Sequence, residues 1–290
     1  MTDRIEYEGA GGLKLVATRA GPTGAPPVLL LHGGGQTRSA WGKAVDALAA
    51  RGFEAVSLDM RGHGDSEWSK DGRYSLDCFA NDIRAVIDTF GSAPAVVGAS
   101  LGGLSSLLAL GEQPRAKSTA LVLVDIVPWL EPSGGEKVVG FMRGTTDGFD
   151  SLEDAADAVS EYLPHRKRPK DLSGLKKNLR HGDDGRWYWH WDPAFITPRK
   201  DGSWDMDEIN HRLTGAARNI SASLSLMRGA KSEIVSDAGV AKFRDLLPEA
   251  QVVEIAGAHH MVAGDENDAF VDALMPLLQS PEPQKEATSA

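Results

Sequence analysis

Pro94-Ala95-Val96-Val97-Gly98-Ala99-Ser100-Leu101-Gly102-Gly103-Leu104 runs from an apolar strand, through a Gly-x-Ser-x-Gly turn, into an apolar helix. A serine at so tight a turn sits in a strained backbone conformation, and bulky side chains two residues before and after it would clash. Glycine at 98 and 102 removes both obstacles. The turn exposes the Ser100 hydroxyl. The first turn of the following helix brings unpaired N–H groups and positive potential beside it. With the strand, the helix and the extra Gly103 around it, the motif points to a nucleophilic serine rather than a glycine-rich packing turn.

Upstream, Val28-Leu29-Leu30-Leu31-His32-Gly33-Gly34-Gly35 ends a short apolar run in a glycine loop. A continuous run of that kind fits a strand buried on both faces. Acyl transfer needs a second N–H, donated from another loop, to hold a developing oxyanion, and glycines let the backbone approach closely. A phosphate-binding loop does not fit, because no Gly-Lys-Ser/Thr follows and GxGxxG spacing is absent. His32 is expected to bond the loop rather than to react.

Strand and helix patterns alternate around these two segments. Expected strands are Leu13–Thr18, Val28–Leu31, Phe53–Leu58, Ala95–Gly98 and Ala120–Val124, with helices over Ala40–Arg51, Leu76–Thr89 and Leu101–Gly111. The pattern resumes late with Ser223–Met227, Asp237–Leu247, Gln251–Ile255 and Ala269–Leu278. Such alternation implies βαβ units and a parallel sheet with right-handed crossovers. From about Pro128 to Leu213 no β-rich run appears, and four of the seven tryptophans fall between 187 and 204. Within that stretch Ser151–Leu163 reads as a helix capped by Ser151, and His165–Lys170 as a solvated basic loop. The expected organisation is an α/β core of residues 1–127 and 214–279, a helical insert over 128–213, and a disordered tail over 280–290.

Composition narrows the partners. The chain has 290 residues, 31 Lys+Arg against 41 Asp+Glu, and a formal net charge of −10. Nucleic acid and an anionic membrane surface are therefore poor partners. A single cysteine, Cys78, rules out an intramolecular disulfide or a cysteine-rich metal site. No apolar stretch approaches the roughly 20 residues of a membrane span, and Met1–Glu6 has no signal-peptide character. The expected setting is cytoplasmic.

The combination of His32-Gly33-Gly34-Gly35, Asp59-Met60-Arg61-Gly62-His63-Gly64-Asp65-Ser66, Gly98-Ala99-Ser100-Leu101-Gly102-Gly103 and Gly257-Ala258-His259-His260-Met261-Val262 resembles the α/β-hydrolase superfamily. The likeness covers residues 1–130 and 215–280 in the family's order, with the middle similar to its helical cap. It implies an α/β-hydrolase fold, a mostly parallel doubly wound sheet with an inserted helical cap. It further implies Ser100 as nucleophile, His260 rather than His259 as base, and Asp59, Arg61 and His63 as parts of a structural turn. The acid of such members usually follows the strand after the cap, which gives Glu233. Asp125, closing an earlier strand, is the alternative that some members use, and Asp237 stands third as a more ordinary helix cap. Leu101 and Gly34 are the implied oxyanion donors.

A serine at the elbow sets this chain apart from carboxylate-nucleophile relatives such as epoxide hydrolases and haloalkane dehalogenases. The expectation is a serine hydrolase acting on a small, largely apolar ester through an acyl-enzyme, needing neither metal nor organic cofactor. C–C bond (vinylogous diketone) hydrolysis, thioester or lactone hydrolysis and perhydrolysis use the same site, and a ligand-binding relative is the non-enzymatic alternative. Trp129, Phe141, Met142, Phe149, Trp187, Tyr188, Trp189 and Trp191 form the expected pocket roof. Gly35, Trp129, Trp189 and Trp191 are taken to touch substrate. The chain is expected to be a monomer or homodimer.

Overall fold

The structure is a computed structural model and describes residues 2–130, 132–164, 168–197, 205–260 and 267–278. Its strands are β1 (Thr2–Glu8), β2 (Lys14–Ala20), β3 (Pro27–Leu31), β4 (Glu54–Leu58), β5 (Ala95–Ala99), β6 (Ala120–Val124), β7 (Leu179–His181), β8 (Trp187–Trp189), β9 (Ser223–Gly229) and β10 (Gln251–Ile255). The helices are α1 (Gly42–Ala50), α2 (Leu76–Ile87), α3 (Leu101–Gly111), α4 (Pro132–Gly144), α5 (Leu152–Tyr162), α6 (Ser173–Lys176), α7 (Met206–Asn219), α8 (Asp237–Leu246) and α9 (Asn267–Leu278).

Eight strands form one sheet in the order β1-β2-β4-β3-β5-β6-β9-β10. β1 and β2 run antiparallel to each other, and β2 antiparallel to β4. From β4 through β10 every pairing is parallel. The central strands are short and wholly buried because helices cover both faces. Side-chain alternation divides the core accordingly. Val28, Leu30, Val97 and Val122 join Trp41, Leu48, Phe270 and Leu274 of the α1 and α9 layer. Leu29, Leu31, Val96 and Leu121 join Phe79, Leu107, Leu213 and Phe243 of the layer formed by α2, α3, α7 and α8.

Chain order reverses around β3. The β3–β4 connection leads one way along the sheet, and the next crossover brings β5 to the other side of β3. Parallel α/β sheets open a crevice at such a reversal, beyond the carboxyl ends of the two strands. Here those ends carry the glycine loop and Ser100, since Leu31 pairs with Gly98.

Three expectations change. β1 is not among the expected strands: only Ile5 and Tyr7 of its TDRIEYE sequence alternate toward the core, too short an apolar signal among charged residues on an edge. The insert is not purely helical, for β7 and β8 form an antiparallel hairpin pairing Leu179 with Trp189. The boundary at residue 213 falls inside α7, whose Ile209, Leu213, Ala216 and Ala217 pack into the main core. The insert has its own apolar cluster of Met142, Phe149, Ala155, Leu179, Trp189, Trp191 and Ile196. Ser151 caps α5 as expected, accepting from Asp154 N–H at 3.1 Å. His165–Lys167 and residues 280–290 lie outside the described residues. Among the described residues no helix is long and apolar enough to cross a membrane.

Candidate active site

Ser100 turns the chain from β5 into α3 with φ +45° and ψ −113°, one of two non-glycine residues with positive φ among the described residues. The neighbouring glycines are obligatory. A Cβ on Gly98 would stand 2.6 Å from Gly103 N, and one on Gly102 would stand 2.5 Å from the Leu31 carbonyl oxygen. Packing α3 this tightly on the sheet leaves Ser100 partly exposed, while Leu101 through Leu110 are buried behind it.

The glycine loop lies against the serine, for a Cβ on Gly33 would sit 3.4 Å from Ser100 Cβ. Two buried imidazoles shape the loop. Met60 N–H donates to His32 Nε2 at 3.0 Å, so the His32 proton resides on Nδ1 and donates to Gly33 O at 2.8 Å. Gly35 N–H donates to His63 Nε2 at 3.1 Å, so His63 likewise carries its proton on Nδ1, bonded to Arg61 O at 2.9 Å. Burial pushes both rings down, His32 to about 4 and His63 to about 3, the latter helped by the neighbouring His32. Gly33 N–H goes to the Gln36 side chain at 3.0 Å. Among the described residues this leaves Gly34 N–H without an acceptor, and the same holds for Leu101 N–H at the start of α3.

The Asp59–Ser66 turn is structural scaffolding. Asp59 accepts from Arg38 and Asp65 N–H, and Arg61 forms a two-pronged pair with buried Asp82 at 2.6 and 2.7 Å. The insert returns to this turn through Asp192, which accepts from Tyr74 Oη at 2.5 Å and whose N–H bonds Gly62 O at 2.8 Å.

At the end of β6, Asp125 also adopts a positive φ, +50°, and is wholly buried. Its Oδ2 lies 2.8 Å from His260 Nδ1 and 2.6 Å from Ser232 Oγ, while Oδ1 accepts from Gly229 N–H at 3.1 Å. A carboxylate only accepts, so the imidazole donates from Nδ1 and Nε2 keeps its lone pair. The expected preference for Glu233 is corrected here. Glu233 is half exposed and pairs with Lys137 of α4 at 3.1 Å, while Asp125 makes the bond to His260. The reason is topological. β6 is hydrogen-bonded to β9, and β9 to β10, so the ends of β6 and β10 flank the end of β9. Gly229 is needed at that point, because a Cβ there would meet the His259 and Ala258 carbonyl oxygens at 2.5 and 2.6 Å. Asp237 is the first residue of α8 rather than its cap, which is Ser236, and Asp237 pairs with Arg228 at 2.5 Å.

The aromatic roof divides. Trp129 packs in the main core with Lys242 Nζ 4.1 Å above its ring. Trp189 sits in the insert's cluster, donating from Nε1 to Thr145 Oγ1 at 2.9 Å. Trp191 reaches the glycine loop: a Cβ on Gly35 would lie 3.8 Å from its Nε1 and 3.1 Å from Met142 Cε. Phe195 was not anticipated. Its ring covers Gly34 at 3.3 Å from a Cβ position there and meets His63 edge-on at 5.0 Å. A single phenylalanine in a short turn gives no periodic signal, and only Asp192-Pro193, a helix-start pair, hinted that the turn was ordered.

A fold and site of this kind define a class. A family model described as the alpha/beta hydrolase fold matches residues 26–266, and the chain belongs to that family. It is a hydrolase of the esterase type by its relatives. It is 29% identical over 266 residues to esterase Rv0045c of Mycobacterium tuberculosis, covering 88% of this chain and 84% of that protein. It is 26% identical over 243 residues to the 2-(acetamidomethylene)succinate hydrolase of Mesorhizobium japonicum, covering 82% and 83%. The crystal structure of the M. tuberculosis esterase superposes with a TM-score of 0.74 at 28% identity, covering 97% of this chain and 92% of that one. That of an E-2-(acetamidomethylene)succinate hydrolase superposes with a TM-score of 0.81 at 21% identity, covering 97% and 100%.

Proposed function

We propose that the chain is a serine hydrolase that cleaves small, largely apolar esters through an acyl-enzyme. The observation that carries this reading is the 2.8 Å bond between His260 Nδ1 and buried Asp125, which leaves Nε2 with a lone pair for the proton of Ser100. As Ser100 Oγ attacks the ester carbonyl carbon, Nε2 takes its proton and the carbonyl π pair moves onto oxygen. Leu101 N–H and Gly34 N–H hold that oxyanion. Collapse of the tetrahedral intermediate breaks the bond to the alcohol, which leaves with the proton from Nε2. Water then repeats the sequence on the acyl-enzyme, releasing the acid and restoring Ser100. Asp125 keeps Nδ1–H in place and stabilises the imidazolium.

The side chains against the glycine loop support a neutral acyl group. Met142 and Phe195 offer apolar surface there, with the Trp191 indole beside them. Hydrolysis of p-nitrophenyl esters from acetate to decanoate, run beside Ser100→Ala, tests the proposal. Turnover that peaks at one chain length and vanishes in the variant is expected. Activity that survives the loss of the Ser100 hydroxyl would discard the nucleophile.

A further inference from the structure

We propose that Ser232 is a positioning residue for this reaction: its hydroxyl donates to the same Asp125 oxygen that holds His260 and sets both the aim and the charge of that carboxylate. The inference rests on the esterase reading above. The donor direction follows from the hydroxyl's other partners. Ser232 Oγ accepts from Ile234 N–H at 3.1 Å and Val235 N–H at 3.0 Å, which occupies both lone pairs. Its one proton is left for Asp125 Oδ2, 2.6 Å away. Short O–H···O⁻ bonds of this length are the strong, charge-assisted kind.

The turn is built to hold that hydroxyl still. Lys231 N–H donates to Ala258 O at 2.9 Å and Ser232 N–H to Gly229 O at 2.9 Å. Ser232 is thereby tied to β9 on one side and to the chain leading into His260 on the other. Asp125 has no exposure to water, and among the described residues three donors face its carboxylate: Gly229 N–H, Ser232 O–H and His260 Nδ1–H. Two of the three share Oδ2. Without the Ser232 proton, Oδ2 turns more of its charge toward the imidazole, holds the imidazolium more tightly and makes proton release from Nε2 harder. The carboxylate also becomes free to rotate about its remaining bonds.

The test compares Ser232→Ala, Ser232→Thr and Ser232→Cys with the parent protein on a p-nitrophenyl ester, measuring kcat, KM and the pH dependence of kcat/KM. Ser232→Ala should lower kcat about tenfold to a hundredfold, the worth of one hydrogen bond to a charged group, with KM within about twofold. Its acid limb should move to higher pH. Ser232→Thr should restore both rate and limb, and Ser232→Cys, a weaker donor, should fall between. In an Asp125→Asn background, Ser232→Ala should cost less than about twofold, because the hydroxyl acts only through that carboxylate. An unmoved acid limb, a limb moved to lower pH, or full additivity with Asp125→Asn overturns the proposal. Should Ser232→Ala not fold, Ser232→Cys and Ser232→Thr decide the matter. Absence of ester turnover in the parent protein would instead refute the underlying esterase reading.

Discussion

Acid should loosen this fold through His32 and His63. Both rings are wholly buried, and each accepts a backbone N–H at Nε2, from Met60 and Gly35 respectively. Neither can accept once protonated. Their folded values, about 4 and about 3, lie below the ordinary 6.5. The unfolded chain therefore takes up these protons first, and stability falls as the pH drops through 6.5 toward the folded values. One pKa unit corresponds to about 1.36 kcal/mol. At pH 5, roughly 1.5 units below the unfolded value and above both folded ones, each ring costs about 2 kcal/mol, or about 4 kcal/mol together. Asp59 and Asp82, pushed upward by burial, act in the opposite sense within the carboxylate range. Urea unfolding at several pH values between 8 and 5 measures the slope, and His63→Gln, whose amide oxygen can still accept from Gly35, should remove about half of it. A folding free energy that changes by less than about 1 kcal/mol over this range, or an unaltered slope in His63→Gln, would refute the reasoning.

Other substitutions separate the roles of neighbouring groups. Asp125→Asn should lower kcat by about 10⁴-fold by leaving the imidazole in the wrong tautomer, whereas Glu233→Gln should stay within about twofold, since an exposed ion pair contributes little. In ester assays, a large loss in Glu233→Gln beside a small one in Asp125→Asn would return the acid to position 233. Gly102→Ala should destabilise the protein by about 2 kcal/mol or more, because the new methyl meets the Leu31 carbonyl rather than a yielding side chain. Gly42→Ala at the start of α1, with nothing within 4 Å, should be neutral or slightly stabilising in thermal unfolding. Met142→Ala and Trp191→Leu should move the preferred p-nitrophenyl ester toward longer acyl chains, while Trp189→Phe should leave the profile alone. A shifted profile in Trp189→Phe would place that ring in the pocket.

The parts of the fold legible in the sequence are those whose residues answer to a single local demand. α3 is found with its bounds because Ser100 begins it and every residue of Leu101–Gly111 is buried. β3, β5 and β6 announce themselves as short apolar runs covered on both sides. α7 does not. Its buried stripe of Ile209, Leu213, Ala216 and Ala217 is thin and spread among charged residues, so only packing on α3 reveals it. The hairpin of β7 and β8 has three residues per strand, too few to show alternation. Glycines, serine and histidine of the site were legible because each sits in a local motif. The acid was not, because the Asp125–His260 bond joins residues 135 positions apart. The family's usual place after the strand following the cap favoured Glu233 over the alternative Asp125, but what chooses Asp125 is the hydrogen-bonding of neighbouring strands.

The two non-glycine residues with positive φ among the described residues carry a consequence for how this chain can change. Ser100 and Asp125 occupy backbone conformations that cost about 1–3 kcal/mol each for a side chain bearing a Cβ, and glycine at either position would relax them. At Asp125 that relief would leave the donors around its carboxylate without an acceptor, whereas Ser100 is partly exposed and its strain is relieved at the expense of the nucleophile alone. A descendant released from the need to turn over substrate could grow sturdier by the very replacement at position 100 that silences it. Among related chains, glycine in place of Ser100 would mark those that kept the architecture after abandoning the chemistry.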